Sequence, residues 1–392
     1  MKRIRKYPIH KRRGAKKSLL GILSIIFLCS GIAVILLYGV KSRGAARKPE
    51  INIVPRKPEI NSAIYEASAY LGVPRKNIRF GKETEGQIKN VTIIVNSSFP
   101  PAFVNHVFQK FITDAGGIVH DAVEKGWSAN KILLAVGDSS GITHRIKLIR
   151  RHSAPVESVY VALLIDDFCV RPIRLEQKFF KLGIKFSAGI LPSREFTRNI
   201  VTLLAEYPNV ERIVHLPMEP RGYPDIDPGP DAILTSMSDK RIMELTMKDI
   251  DQIPGAVGVS NHMGSLATEN QRVMRAVMMI LRQRGLFWVD SRTTIYTVFA
   301  EIAQELGVKA TKIDHLLDPE GFSKEQIEQR LFEYCLGSRG KPAVILNAHV
   351  SDTILSILAK DIPVLKRYGV KFIWVSEAIR RKAQWHRKSQ KI

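Results

Sequence analysis

The sequence predicts an α/β protein whose C-terminal part is a parallel sheet arranged as a (β/α) barrel, either complete or else incomplete or distorted. In residues 156–385, short continuous apolar runs alternate with helical patterns. Apolar runs without polar alternation predict strands that are buried on both faces, as in parallel sheets covered by helices. Ahead of this region lie a long uncharged stretch and a smaller region of mixed helix and strand patterns.

The predicted barrel contains about eight strand–helix units, a number typical of this fold. A loop rich in Pro, Gly and Asp, residues 217–230, follows the third strand. The predicted strands are Val159–Ile165, Lys185–Leu191, Arg212–Leu216, Ala256–Ser260, Leu286–Val289, Lys309–Ile313, Ala343–Ala348 and Val370–Val375.

The uncharged stretch, residues 18–40, is predicted to be a transmembrane signal anchor. A helix of this length crosses a hydrocarbon core of about 30 Å. More Lys and Arg residues precede it than follow it, so residues 1–17 form an expected cytoplasmic tail and the main domains lie outside. We therefore expect a single-pass inner (cell) membrane protein with periplasmic or otherwise extracytoplasmic domains. A cleaved signal peptide is disfavoured, because the apolar run exceeds the usual ~7–15 residues and lacks a small-x-small cleavage site.

Two segments connect this anchor to the predicted barrel. Residues 41–58 are basic and contain prolines, which is typical of a juxtamembrane linker. Residues 59–150 are predicted to form a small α/β module without a catalytic constellation. Its predicted helices and strands are Ile60–Leu71, Val91–Asn96, Phe103–Ile112, Lys131–Val136 and Ile142–Ile149.

The basic side chains are concentrated in the N-terminal segment. The chain has a net charge of +23, and residues 1–57 carry 15 basic side chains and one Glu. Residues 155–385, in contrast, carry 30 basic and 28 acidic side chains. Charge beside an apolar segment is explained by membrane topology, so we expect no nucleic-acid partner.

Acidic, amide and imidazole side chains follow several predicted strands, at the end where barrels of this type build their active sites. Adjacent carboxylates allow one to bind a metal while the other acts as a base, although an Asp there also commonly caps the next helix. Histidines from separate strands suit a catalytic zinc ion, which needs about three protein ligands. The residues are Asp166, Asp167, His215, Asn261, His262, Asp290, Asp314, His315, Asn347 and His349.

Four ordered motifs resemble the divergent polysaccharide deacetylase family, relatives of the NodB-homology carbohydrate esterases. They are LLIDDF (163–168), HLPMEP (215–220), GVSNHMGS (258–265) and GLFWVDSRTT (285–294), and the resemblance covers roughly residues 156–380. It implies an α/β fold with a deformed (β/α) barrel of the polysaccharide deacetylase type and a divalent metal, for which zinc is the expected ion.

The resemblance also implies roles at the metal site. Asp166 matches the catalytic base of the better-known relatives, and Asp167 matches a metal ligand. His215 matches the first histidine of an H-x-x-x-H motif, but this chain has Glu219 at the second place. His262, from the next strand, is the expected replacement, with Glu219 as the fallback ligand.

Further roles are implied outside the metal ligands. His349 matches a late histidine that acts as general acid, although the divergent family has Gly-His-Pro where this chain has Ala-His-Val. Asn261, Asp290, Arg292 and Asp314 are expected to contact substrate or to orient the metal ligands.

The function implied is a membrane-anchored, metal-dependent hydrolase that removes N-acetyl groups from a cell-envelope polysaccharide of peptidoglycan type. The alternative is a catalytically inactive barrel that binds glycan or a partner protein. The interrupted H-x-x-x-H motif favours the alternative, whereas two aspartates and three histidines at one end favour the hydrolase. A third hypothesis is a membrane scaffold in which residues 59–150 carry the function.

Overall fold

The computed structural model describes residues 58–82, 87–126 and 129–389. The chain from Lys57 onwards forms one compact unit. The predicted cytoplasmic tail, the anchor at 18–40 and almost all of the linker lie outside the described residues. Within the described parts of the chain, no helix is both long enough and apolar enough to cross a membrane.

The N-terminal module is a five-stranded sheet with one buried face. Its strand order is β1-β2-β5-β4-β3, and only β2 and β5 pair in parallel. Two helices contribute Ile64 and Phe108 to the core that the sheet's buried side chains also enter. The elements are α1 (Ile60–Tyr70), β1 (Ile78–Phe80), β2 (Lys89–Asn96), α2 (Pro101–Asp114), β3 (Ile118–Lys125), β4 (Lys131–Asp138) and β5 (Gly141–Arg151).

The structure contains every helix and strand predicted for this module and adds β1 and β3. Strand β3 pairs only with β4 and lies at the edge of the sheet. Most of its side chains are exposed, and charged residues interrupt its apolar positions. Edge strands commonly carry such charges, which removes the alternating pattern from which a strand is predicted.

The second part of the unit alternates strands and helices and forms a parallel sheet. Its elements are β6 (Val159–Phe168), α3 (Ile173–Phe180), β7 (Phe186–Ile190), α4 (Thr197–Leu203), β8 (Val210–Met218), α5 (Asp239–Asp251), β9 (Gly258–Met263), α6 (Gln271–Arg284), β10 (Phe287–Asp290), α7 (Phe299–Leu306), β11 (Ala310–Lys312), β12 (His315–Leu316), α8 (Lys324–Leu336), β13 (Val344–His349), α9 (Asp352–Arg367), β14 (Val370–Ile373) and α10 (Val375–Ser389).

This sheet curls because its two end strands are neighbours in the chain. The order is β11-β10-β9-β8-β7-β6-β13-β12. Between the end strands, Ile313 N donates to Asp290 O over 3.0 Å and Asp314 N donates to Ile345 O over 2.9 Å. One continuous segment therefore joins β10 to β13 and closes the curl.

Strand β14, the predicted eighth strand, does not occupy an eighth position around the curl. Strand β13 pairs directly with β6, with Val344 opposite Val161. Strand β14 pairs with the amino half of β6, where Val370 lies opposite Val159. The parallel β/α architecture predicted from the sequence is thus present, and its distortion lies at β14.

The inside of the curled sheet has its own apolar core. It includes Leu164, Ile213 and Ile345 from the strands, together with Ala378 and Ile379 from α10. Branched side chains from parallel strands fill such an interior rather than leaving a pore. The polar residues predicted for the site lie at or just after the carboxyl ends of the strands of this sheet.

Arg339, just after α8, connects the module to the curled sheet. It donates to the carbonyl oxygen of Tyr70 at the end of α1, over 3.0 Å, and to those of Glu157 and Tyr368. Burial lowers the pKa of Arg339 to about 10. Because a buried guanidinium needs its donors satisfied, these three carbonyl groups hold the two parts together.

Candidate metal centre

The two adjacent carboxylates lie at an irregular end of β6. The register between β6 and β7 shifts between Ile165 and Phe168, the interval that contains Asp166 and Asp167. Asp167 has a φ of +68°, which is strained for a residue with a side chain. Bulges redirect side chains, and here both carboxylates approach the ring of His215 on β8.

Asp167, His215 and His262 bring three possible metal-ligating atoms together. His215 Nε2 lies 3.3 Å and His262 Nδ1 lies 3.0 Å from Asp167 Oδ1. All three atoms lie within 4.8 Å of one another. The two imidazole rings meet edge to face, with their centroids 5.0 Å apart. The three side chains are thus close enough together to hold one metal ion.

The chemistry of this cluster fits a divalent cation. Asp167 Oδ1 is buried and has no hydrogen-bond partner, although two imidazole nitrogens lie beside it. His215 Nδ1 lies 2.8 Å from Ser260 Oγ, a contact that fixes the ring and leaves Nε2 directed at Asp167. One carboxylate and two imidazoles give three protein ligands and leave room for water, as catalytic zinc requires.

The protonation states also suit metal binding. Burial alone would raise the pKa of Asp167, but the imidazoles of His215 and His262 outweigh it and hold the pKa well below its usual range. Burial lowers the pKa of His262. An ionised carboxylate and a neutral imidazole are the forms that bind metal ions.

Asp166 lies beside the cluster in a space that depends on Gly189. Asn347 Nδ2 donates to Asp166 Oδ2 over 2.7 Å, and Asp166 Oδ1 has no hydrogen-bond partner. A Cβ atom on Gly189 would lie 1.9 Å from Asp166 Oδ1. Burial raises the pKa of Asp166, which makes its carboxylate a better proton acceptor once ionised.

His349 lies opposite Asp166 in the pairing of β13 with β6. Asp318 fixes it twice, since His349 N donates to Oδ2 over 3.0 Å and His349 Nδ1 lies 3.3 Å from Oδ1. Burial would lower the pKa of His349, but the carboxylates of Asp318, Asp167 and Asp166 raise it to about 9. A protonated imidazole can donate a proton.

Comparison with known proteins gives a match over more than half of the chain. The model of the divergent polysaccharide deacetylases matches residues 163–379. This chain belongs to the divergent polysaccharide deacetylase family. The resemblance predicted from the four sequence motifs is thus confirmed.

Similar proteins include two divergent relatives without an assigned role. The uncharacterized protein YibQ of Escherichia coli is 32% identical over 166 residues, 42% of this chain and 51% of YibQ. An uncharacterized protein of Haemophilus influenzae is 29% identical over 158 residues, 40% of this chain and 55% of its own length. The chain therefore spans about half the length of these two relatives.

A solved structure supports the same fold. The uncharacterized protein ATU2773 of Agrobacterium tumefaciens has a TM-score of 0.53 and 21% identity with this chain. The similarity covers 57% of this chain and 90% of ATU2773. The two chains therefore share a fold over this region.

Glu219 stands where the H-x-x-x-H motif has its second histidine, and its contacts differ from those of a metal ligand. Glu219, the fallback ligand, follows β8, and its Oε2 accepts from Thr235 N over 2.5 Å. Its backbone carbonyl accepts from Leu266 and Ala267. Glu219 therefore organises the loops around the site, and His262 from β9 completes the three-residue cluster.

Asn261 and Asp290 are buried and shape the loop after β10. Asn261 Oδ1 accepts from Ser291 N over 2.9 Å. The carboxylate of Asp290 accepts from Arg292 N and from Thr297 Oγ1, each over 2.7 Å. These two side chains position the loop that carries Arg292, and their expected role of contacting substrate or orienting the metal ligands stays a prediction.

Arg292 and Asp314 differ in their surroundings. Arg292 is exposed and donates to the carbonyl oxygen of Asp314 over 3.2 Å. Asp314 Oδ2 accepts from Ile345 N and pairs with Lys382 of α10, each over 2.7 Å. The Asp314 carboxylate thus fastens α10 to β13, and its expected role of contacting substrate or orienting the metal ligands stays a prediction.

Three supporting residues were missed by the sequence prediction: Ser260, Gly189 and Asp318. Asp318 follows the two-residue strand β12, which is too short to give an apolar pattern. Ser260 lies directly before Asn261 and His262 in β9. Its signal in the sequence was a polar side chain that follows the apolar start of this strand. Gly189 lies inside β7, and a glycine inside a strand often marks a place where another group approaches the backbone closely.

Proposed function

We propose that the protein is a metal-dependent hydrolase that removes N-acetyl groups from a cell-envelope polysaccharide. The observation that carries this proposal is the Asp167–His215–His262 cluster beside Asp166 and His349. The site offers a metal position, a proton acceptor and a proton donor within the curled sheet. Membership of the divergent polysaccharide deacetylase family supports the same reaction class.

Asp167, His215 and His262 would hold the cation, and their donor set favours zinc. When bound, a divalent cation supplies Lewis-acid polarisation of an acyl oxygen and of water. Ser260 keeps the His215 ring oriented through the contact at Nδ1. These roles depend on side chains from three different strands, as in other barrel sites.

The proton transfers would be shared by Asp166 and His349. Asp166, held by Asn347, accepts a proton from the attacking water as the new carbon–oxygen bond forms. His349, held by Asp318, donates a proton to the sugar nitrogen as the carbon–nitrogen bond breaks. Acetic acid and a free amino sugar result, and the proton on Asp166 then passes through solvent to His349, so atoms and charges balance.

The proposal also covers the substrate and the cellular location of the protein. An N-acetylated glycan of peptidoglycan type is the expected substrate, and residues 18–40 would anchor the protein with its main domains outside the cytoplasm. Alkaline extraction and protease accessibility of the full chain in cells test the anchor. Release into the alkaline wash would overturn it.

A barrel that binds glycan without hydrolysing it is the second candidate. The replacement of the second H-x-x-x-H histidine by Glu219 favours it. The discriminating experiment measures zinc content and acetate release from N-acetylglucosamine oligomers by the purified full chain. Asp166→Asn should retain zinc and lose acetate release, whereas Asp167→Ala should lose both. A zinc-loaded wild-type protein that releases no acetate from oligomers or peptidoglycan favours the binding barrel.

A further inference from the structure

Exposed apolar side chains gather at the end of the sheet that carries the metal centre. Twelve large hydrophobic side chains are exposed in the parts of the chain that the structure describes. Half of them lie on segments that follow the carboxyl ends of barrel strands. These six are Val170, Tyr223, Ile226, Ile295, Tyr296 and Phe322. A concentration of this kind marks an interaction surface.

Four of these residues form what we term the apolar rim: Tyr223, Ile226, Ile295 and Tyr296. The first two lie on the loop after β8 and the last two on the loop after β10. Ile295 is 83% exposed and Tyr296 is 68% exposed, more than the other large hydrophobic side chains of the described residues. Strands β8 and β10 flank β9, which carries His262.

The two loops of the apolar rim are fastened to each other through Glu269. Its Oε1 accepts from Thr294 Oγ1 over 2.5 Å, and its Oε2 pairs with Arg221. Thr293 Oγ1 donates to the carbonyl oxygen of Met263, next to His262, over 2.9 Å. The apolar rim is therefore a fixed feature beside the metal centre, and its exposure costs hydration free energy until something covers it.

The composition of the apolar rim indicates what covers it. Ile226 and Ile295 have no flat ring on which a sugar could stack, so hydrocarbon suits them better than saccharide. Tyr223 and Tyr296 combine an apolar ring with a hydroxyl that stays wet, a combination found where hydrocarbon meets water. The partner is therefore amphipathic and has a hydrocarbon part.

We propose that the substrate is a lipid-linked N-acetylated saccharide, whose hydrocarbon chain lies on the apolar rim while its saccharide enters the metal centre. This inference rests on the proposed hydrolase function and names its substrate class. The sequence supports it, because only residues 41–57 separate the predicted anchor from the described fold. Seventeen residues span at most ~60 Å, which confines the site to the neighbourhood of a membrane.

The test compares two substrates of the zinc-loaded full chain: an N-acetylglucosamine oligomer and the same oligomer with a hexyl chain at its reducing end, below its micelle concentration. We expect kcat/KM to be at least tenfold higher for the hexyl form. The double variant Ile295→Ser, Tyr296→Ser should reduce this preference below threefold and leave the plain oligomer unchanged. Met279→Ser, an exposed residue on α6, is the matched control and should keep the preference.

Equal kcat/KM values for the two substrates in wild-type protein would overturn the inference while leaving the hydrolase proposal intact. Equal losses on both substrates in the double variant would show that the apolar rim binds the saccharide instead, which also overturns it. If neither substrate is hydrolysed, the proposed function fails. The affinity of the protein for the two oligomers, measured by calorimetry, then tests the apolar rim separately. Tighter binding of the hexyl form that the double variant abolishes supports the apolar rim, whereas equal binding contradicts it.

Discussion

Asn347 Nδ2 lies 2.7 Å from Asp166 Oδ2 and donates a hydrogen bond to it. The same strand, β13, ends with His349, which lies opposite Asp166 in the pairing with β6. A single strand thus holds the proposed base through Asn347 and carries the proposed acid. The positions of these two groups depend on the register between β6 and β13.

Asn347→Ala is expected to lower kcat/KM at neutral pH by about tenfold, because hydrogen bonds to charged groups contribute roughly 1.5–3 kcal/mol. Asn347 lowers the pKa of Asp166, so its removal raises that pKa further. Asp166 accepts a proton only when ionised, and the acidic limb of the pH–rate profile should therefore move to higher pH. Asn209→Ala, which removes a bond to the Ile184 carbonyl, should leave the limb in place. An unmoved limb in Asn347→Ala contradicts the assignment of Asp166 as base.

Asp318→Asn is expected to move the alkaline limb of the profile to lower pH. The Asp318 carboxylate is a main cause of the raised pKa of His349, which lies at about 9. His349 donates a proton only when protonated, so activity is lost as pH rises through its pKa. Kinetics of zinc-loaded wild-type and variant protein measure the difference, with Asp251→Asn, at the end of α5, as control. A limb that stays in place would remove His349 from the role of acid.

Metal affinity should distinguish His262 from Glu219 as the third ligand. His262→Ala removes one of the three clustered ligating atoms and is expected to weaken zinc binding by at least about a hundredfold, more than the loss of a supporting residue. Glu219→Gln keeps a carbonyl oxygen that can accept from Thr235 N and should leave zinc affinity within a few fold. Competition with a chromophoric chelator measures both. The opposite ranking would make Glu219 the ligand.

Arg339→Ala is expected to destabilise the fold by about 3 kcal/mol, because three backbone carbonyl groups lose a charged donor. The matched control is Arg284→Ala, which breaks an exposed ion pair with Asp251 and should cost less than about 1 kcal/mol. Urea unfolding of both variants measures the difference in midpoint. Equal midpoints would show that Arg339 does not hold the module to the sheet.

The sequence predicted the parallel β/α architecture because continuous apolar runs alternate with helical patterns. It also placed polar residues at one end of the sheet, and the family resemblance singled out the three clustered residues among them. It predicted Val370–Val375 as the last strand of a barrel that could be incomplete or distorted, without its partner, and β14 pairs with the amino half of β6. Strand identity follows from local pattern, but strand order follows from pairing between distant segments, which a local pattern does not carry.

Side-chain direction limited the prediction of the supporting residues. Asp290 and Asp314 lie at or just after the ends of strands, as Asp166 does, but their carboxylates bind backbone groups of nearby loops and strands. Asp318, in contrast, lies after a two-residue strand and still reaches His349. Position after a strand therefore predicted which end of the sheet a residue occupies, and the loop conformation decided what it contacts.

The most direct test of the account measures zinc content and acetate release in the same samples of the purified full chain. Wild-type protein should bind about one equivalent of zinc and release acetate from an N-acetylglucosamine oligomer. Asp166→Asn should bind the same zinc without releasing acetate, and His262→Ala should lose both. A wild-type protein that binds no zinc after repletion, or one whose acetate release survives in Asp166→Asn, would contradict the account.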